Sequence, residues 1–244
     1  IIVSSQDIEI VIVSNGRRYS DKKFLRSLIK SGVTKFYVSI HSHQRKLEDY
    51  LTSTQGSFEE KLKGLVNLKR FYDEGLIKED ILLNIVINKV NYRYLEKIIR
   101  FYHKLGFSGF RFDFIRPVGS AWRNAAIMVP RYSAVMKHAG KALETARDLR
   151  ANISFGAIPL CLFRKYGIDI PMGCIGDLND IGTESRLSED NTVRRFVISH
   201  KRKSRYKIKS SSCRRCIFDP TCEGVWKEYA RLHGLSEISP VVIP

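Results

Sequence analysis

The chain has 244 residues, enough for one main domain with a smaller appendage and too many for a disulfide-stapled miniature. With 43% hydrophobic and 27% charged residues it can build a sizeable core, while its longest apolar runs, such as 10–13 and 81–87, stop far short of the ~18 residues of a membrane span, so no membrane partner is expected. Forty-two Lys and Arg against 25 Asp and Glu leave a formal charge of +17, which favours acidic or phosphate-rich partners without choosing between them.

Residues 9–14 (EIVIVS) are short and β-branched and end in the turn signal Asn15-Gly16, which predicts a strand. Residues 21–30 place Phe24, Leu25, Leu28 and Ile29 on one helical face, and Gly32 follows as a left-handed cap. A second strand is expected over 35–40. Ser57 with Glu60 three residues later reads as a capping box opening a helix through Leu62, Leu65, Val66 and Leu68 toward Gly75. The nearly continuous apolar run 81–87 reads as a strand covered on both faces. Asn91 is the expected cap of a helix with Tyr94, Leu95, Ile98, Ile99 and Tyr102 inward and Gly106 at its end. Residues 109–115 alternate Phe110, Phe112 and Phe114 with Arg111 and Asp113, a fourth strand.

Strands alternating with helices and joined by short loops pair in parallel, because only a crossover of a dozen or so residues returns the chain to the same end of a sheet. The expected fold class is therefore α/β. Such sheets carry their chemistry at the C-terminal ends of the strands. Those ends read Ser14-Asn15-Gly16, Ser39-Ile40-His41-Ser42, Asn88 and Arg116-Pro117-Val118-Gly119, polar where the strand bodies are apolar. His41 and His43 read as loop bystanders rather than catalysts.

After Gly119 an amphipathic helix is expected over 133–149, then a strand over 152–159 leading to Cys161. Residues 167–212 show weak periodicity. The basic stretch 201–209 (KRKSRYKIK) lies just upstream of the most specific signal in the chain, Cys213-x2-Cys216-x5-Cys222. A C-x2-C turn lets two thiolates converge on one metal atom or one cluster, and a third nearby thiolate strengthens the reading. Cys161 and Cys174 compete to be the fourth ligand, with His200 and His233 as outsiders. Cys161 is preferred, because the rigid Ile158-Pro159 approach can present a thiolate at a fixed place, whereas Cys174 sits near Gly173 and Gly176 in aperiodic sequence. Iron–sulfur and zinc both suit such ligands. Five cysteines, an odd number, with no secretory leader, point to a reducing, cytoplasmic compartment.

Taken in order, VSNG at 13–16, VSIHS at 38–42, LNIVINKVNYRYL at 83–95, RPVGSA at 116–121 and CRRCIFDPTCEG at 213–224 resemble the radical S-adenosylmethionine superfamily, specifically members with a C-terminal auxiliary-cluster extension of the SPASM or twitch type. The resemblance spans most of the chain. It implies a partial parallel (β/α) barrel over residues 1–130 and a cysteine-rich extension over 131–244. The family's C-x3-C-x2-C loop and its GGEP-like strand end are missing from these residues, and the family order would put both upstream of Ile1, so the expectation is an N-terminally truncated chain, inactive by itself.

The resemblance implies that Ser14 and Ser39 bind S-adenosyl-L-methionine, with Asn15, Gly16 and Asn84 nearby, their hydroxyl and amide groups supplying donors and acceptors to a zwitterion. Ser14 and Ser39 are expected to face one cavity. It also implies an auxiliary 4Fe–4S cluster on Cys161, Cys213, Cys216 and Cys222, a ferredoxin or flavodoxin as electron donor, and a peptide, protein or small molecule as substrate. The runner-up reading is a basic zinc-binding module that holds nucleic acid.

Overall fold

A computed structural model of the chain describes residues 10–171, 174, 183–187, 193–197 and 206–242. Its strands β1 (Val11–Ser14), β2 (Lys35–Ile40), β3 (Leu82–Ile87), β4 (Gly109–Phe114) and β5 (Asn152–Gly156) form one parallel sheet whose spatial order is their chain order. The helices between them are α1 (Lys22–Lys30), α2 (Arg45–Thr52), α3 (Ser57–Asp73), α4 (Leu95–Lys104), the single turns α5 (Ser120–Arg123) and α6 (Ala125–Met128), and α7 (Tyr132–Asp148). The α/β class is as the alternation of the sequence requires. The sheet does not close into a barrel: among the described residues β1 and β5 are its edges. No helix among them is long and apolar enough to cross a membrane.

The chain divides into two compact units, residues 1–113 with 138–153, and 114–137 with 154–244. The fifth strand, expected within the extension as the lead to Cys161, is a strand of the sheet. It ends at Gly156, before the expected 159, where Ala157 turns the chain with φ 58°.

In the first unit the sheet has two unlike faces. Phe36, Val38 and Ile40 of β2 and Leu83, Ile85 and Ile87 of β3 are fully buried. Leu25 of α1, Leu65 and Leu68 of α3, and Leu95, Ile98 and Ile99 of α4 are buried with them, each worth about 1.5–3 kcal/mol. The intervening residues Lys35, Tyr37, Ser39, Leu82, Asn84 and Val86 point to the other face and are only partly covered. The run 81–87 is thus packed on one face alone, and Val66 of α3 is exposed.

Two helix starts differ from expectation. Ser57 is the first residue of α3 and caps nothing; its Oγ is buried without a partner. The Asp49 carboxylate caps the helix instead, accepting from the Gly56 and Phe58 amides at 2.9 Å each. Asn91 does not cap α4, which a 3-10 turn (Tyr92–Tyr94) precedes. Its amide cross-links strand ends, donating to the His41 and Val86 carbonyls at 3.0 Å and accepting from the Asn88 amide at 2.8 Å. Local spacing suggested caps, but a carboxylate and an amide with longer-range partners satisfy these backbone groups.

The second unit contains α8 (Leu160–Lys165), the short antiparallel pairs β6 (Thr183–Leu187) with β7 (Val193–Val197) and β8 (Lys207–Ile208) with β9 (Val225–Trp226), and α9 (Lys227–His233). An aromatic stack anchors α9: the Tyr132 ring lies 4.2 Å from Phe114 and 4.4 Å from Tyr229. The Tyr229 hydroxyl donates to Glu237 and accepts from the Tyr132 amide at 3.1 Å.

Candidate functional site

Two regions bear on the expected chemistry, one in each unit. In the second unit, the 3-10 turn Ser211–Arg215 leads through Cys213 into Cys216, and the turn that follows brings Cys222 back, its amide bonded to the Phe218 carbonyl at 2.7 Å. Cys161, buried in the first turn of α8, reaches the same place. The four sulfur-bearing residues line one cavity whose other walls include Pro159, Ile208, Phe218, Val225, Leu235, Ile238 and Pro240. Cys174 does not line it. His200 and residues 201–205 of the basic stretch lie outside the described residues.

Three of the four sulfurs in this cavity have a polar neighbour at hydrogen-bond distance. The Gly224 amide donates to Cys222 Sγ at 3.4 Å and the Val241 amide to Cys216 Sγ at 3.3 Å. Cys213 Sγ lies 3.3 Å from the Ser210 hydroxyl. Gly224 is required there: at φ 82°, a Cβ would stand 2.3 Å from the Ile208 carbonyl oxygen. Burial, and then the neighbouring thiols, push the Cys161 thiol up to about 11, and burial also raises Cys222.

Among the described residues no group of three or more His, Cys, Asp and Glu side chains is arranged to hold a metal ion. A single zinc ion draws thiolates to ~2.3 Å, which crowds the sulfurs together. A cluster of several iron and sulfide atoms sets its thiolates wider apart around a larger volume. Cys161, Cys213, Cys216 and Cys222 line one cavity, and backbone amides donate to the sulfurs of Cys216 and Cys222, a donor set whose chemistry suits either group.

In the first unit the residues expected around a cosubstrate separate into two sets. In a parallel ladder, paired residues share a face, and Ser14 pairs with Val38 while Ser39 pairs with Asn84. Ser14 is therefore on the face of buried Val38, opposite to Ser39 and Asn84, and the expectation that Ser14 and Ser39 face one cavity is corrected. Ser14 and Asn15 line an open groove with Arg17, Arg18, Asp21 and Glu60, and both side chains are turned back on the chain, to the Gly16 amide at 3.1 Å and the Arg17 amide at 3.2 Å. Gly16, at φ 72°, is buried; a Cβ would stand 2.6 Å from Val38 Cγ1. Ser39 and Asn84 stand side by side on the less covered face, and Asn84 Oδ1 is buried without a hydrogen-bond partner.

The loop that follows Ser39 is held by residues the sequence reading passed over. Glu48 Oε2 accepts from the His41 and Ser42 amides at 2.8 and 2.7 Å, and Lys61 donates to Oε1 at 2.5 Å. Tyr102 closes the loop with a 2.9 Å bond to the Ser42 carbonyl. The available signal was Lys61 itself, which shares a helical face with Leu65 and Leu68 and so called for a buried partner.

No protein-family model matches the chain, and no curated protein matches it.

Proposed function

We propose that the chain is part of a radical S-adenosylmethionine enzyme, with an auxiliary 4Fe–4S cluster held by Cys161, Cys213, Cys216 and Cys222. The observation that carries the reading is the convergence of these four thiols on one apolar-walled cavity, with backbone amides donating to the Cys216 and Cys222 sulfurs. The sequence resemblance supplies the class.

The chain's own residues do the following in this reading. The four thiols give up their protons on ligation. Their amide neighbours offset the thiolate charge, and Ile208, Phe218, Leu235 and Ile238 keep water from the site. Four protein ligands leave no open position for substrate, which makes electron transfer the role of the site. In the first unit Ser39 and Asn84 offer a hydroxyl and an amide, side by side, to the polar parts of the cosubstrate. Glu48 and Lys61 fix the loop after Ser39. A bound cosubstrate and a catalytic cluster would supply the radical chemistry, directed at a peptide, protein or small-molecule substrate. The net charge of +17 suits an acidic one.

The test is anaerobic reconstitution with iron and sulfide, followed by metal analysis and electron paramagnetic resonance. A brown protein with about four iron and four sulfide, lost in Cys161→Ala and retained in Cys174→Ala, is the expected result. A colourless protein with stoichiometric zinc would replace this reading with that of a zinc-binding module.

A further inference from the structure

We propose that residues 235–242 form a hinged strap over the four-thiol cavity, and that strap closure and metal binding are one coupled equilibrium. The inference rests on the reading of the cavity as a metal centre. Residues 234–242 follow α9 and form neither helix nor strand. Leu235, Ile238 and Pro240 line the cavity, so this stretch is one of its walls, and all three are only half-buried. Irregular backbone with half-buried side chains belongs to the low-stability end of a fold, where local opening costs least.

The two ends of the stretch are fastened differently. At its start the exposed Gly234 takes φ 71° and ψ −166°, a conformation open to glycine almost alone, and a Cβ there would meet nothing within 4 Å. This is the hinge, a single residue that can absorb a backbone change with open space around it. Three residues on, the Glu237 carboxylate is a latch. Its Oε1 accepts from the Ser133 amide at 2.9 Å and its Oε2 from the Tyr229 hydroxyl. Lys165, at the end of α8, donates to the Glu237 carbonyl at 3.1 Å. At the far end the fastening is to the ligand turn itself: the Ile217 amide donates to the Val241 carbonyl at 2.9 Å, and the Val241 amide to Cys216 Sγ at 3.3 Å.

The bond to Cys216 makes the strap respond to metal. A thiol sulfur is a weak acceptor, whereas a metal-bound thiolate carries charge and accepts more strongly. Ligation of Cys216 therefore tightens the far end of the strap, and the closed strap keeps water from the ligands. The coupling is reciprocal, so whatever metal adds to closure, closure adds to metal affinity. Opening at Gly234 would lift Leu235, Ile238 and Pro240 from the cavity and give the metal its way in.

The experiment follows amide hydrogen exchange and iodoacetamide labelling of the thiols before and after anaerobic reconstitution with iron and sulfide, in wild type, Glu237→Ala and Val241→Pro. In the wild type the amides of 235–242 should exchange about tenfold more slowly after reconstitution, with α4 unchanged. Glu237→Ala should keep wild-type exchange in α4, label Cys161 and Cys222 about tenfold faster before reconstitution, and lose iron to a chelator faster by a similar factor afterwards. Val241→Pro, which lacks the amide, should label like wild type before reconstitution and gain little protection at 235–240 after it. Equal exchange of the segment with and without iron in a cluster-bearing wild type would overturn the strap. So would unchanged labelling and iron loss in Glu237→Ala, or faster labelling that comes with faster exchange in α4, since Glu237 would then hold the fold at large. A wild type that takes up no iron would overturn the metal reading, and the labelling comparison, made before any metal is added, tells that failure from failure of the latch.

Discussion

Inside the first unit the Glu48 carboxylate and the Lys61 ammonium meet at 2.5 Å, with 1% and 2% of their side chains exposed. The other Glu48 oxygen accepts the His41 and Ser42 amides, so this pair also shapes the loop after β2. Removing one partner from such a pair leaves a buried charge uncompensated, a larger loss than removing both. Lys61→Met should therefore destabilise the chain by about 3–5 kcal/mol. Glu48→Gln/Lys61→Met should lose less. Urea unfolding of the three proteins checks the order, and a double variant weaker than the single would contradict it.

Gly64→Ala has two opposed effects. Alanine in a helix interior ordinarily stabilises by roughly 0.5–1 kcal/mol relative to glycine. At this position of α3, however, a Cβ would stand 2.4 Å from the Gly16 carbonyl oxygen and 3.3 Å from the Ser20 amide nitrogen, both backbone atoms. The clash should win, giving a net loss of about 1–3 kcal/mol. A variant with a higher melting temperature would mean that the Asn15-Gly16 turn yields easily.

Two groups set different acid limits on the first unit. Burial chiefly, with Lys61 adding to it, lowers His41 below its ordinary 6.5 against the pull of Glu48. The unfolded chain then binds that proton more readily, so stability falls as pH drops below about 6.5. Asp49, lowered chiefly by the Phe58 amide, stabilises above its ordinary 3.8, and that contribution is lost as pH falls through its lower folded value. Unfolding measured from pH 3 to 7 should show His41→Asn flattening only the upper slope and Asp49→Asn only the lower. One variant removing both slopes would contradict these assignments.

The strands and the main helices were legible because each carries its own period: Phe110, Phe112 and Phe114 alternate, and Leu95, Ile98, Ile99 and Tyr102 share a helical face. The face of Ser14 was not. It follows from a register between strands twenty residues apart, and a shift of one position would have turned it over. The caps of α3 and α4 were misread because Ser57 and Asn91 had the right types at the right spacing, while Asp49 was hidden in α2, a helix the reading omitted. In the cysteine region the x2 spacing was a local signal. Cys161 lines the cavity of the triplet from the first turn of α8, after Pro159, a placement that no local spacing encodes.

The division of the expected cosubstrate residues between two faces makes the last prediction selective. Asn84 Oδ1 is a buried acceptor without a partner, a state that costs about 1–3 kcal/mol and that a ligand donor would relieve. Ser39 is its register neighbour, whereas Ser14 and Asn15 already spend their oxygens on the Gly16 and Arg17 amides. If S-adenosylmethionine lies on the face of Ser39 and Asn84, Ser39→Ala should weaken its binding by about 0.5–1.5 kcal/mol, and Asn84→Ala by at least as much. Asn15→Ala should leave affinity unchanged. Titration calorimetry on the folded chain distinguishes the faces: a loss confined to Asn15→Ala would move the cosubstrate to the groove beside Arg17 and Glu60, and equal affinity in all three variants would remove it from both.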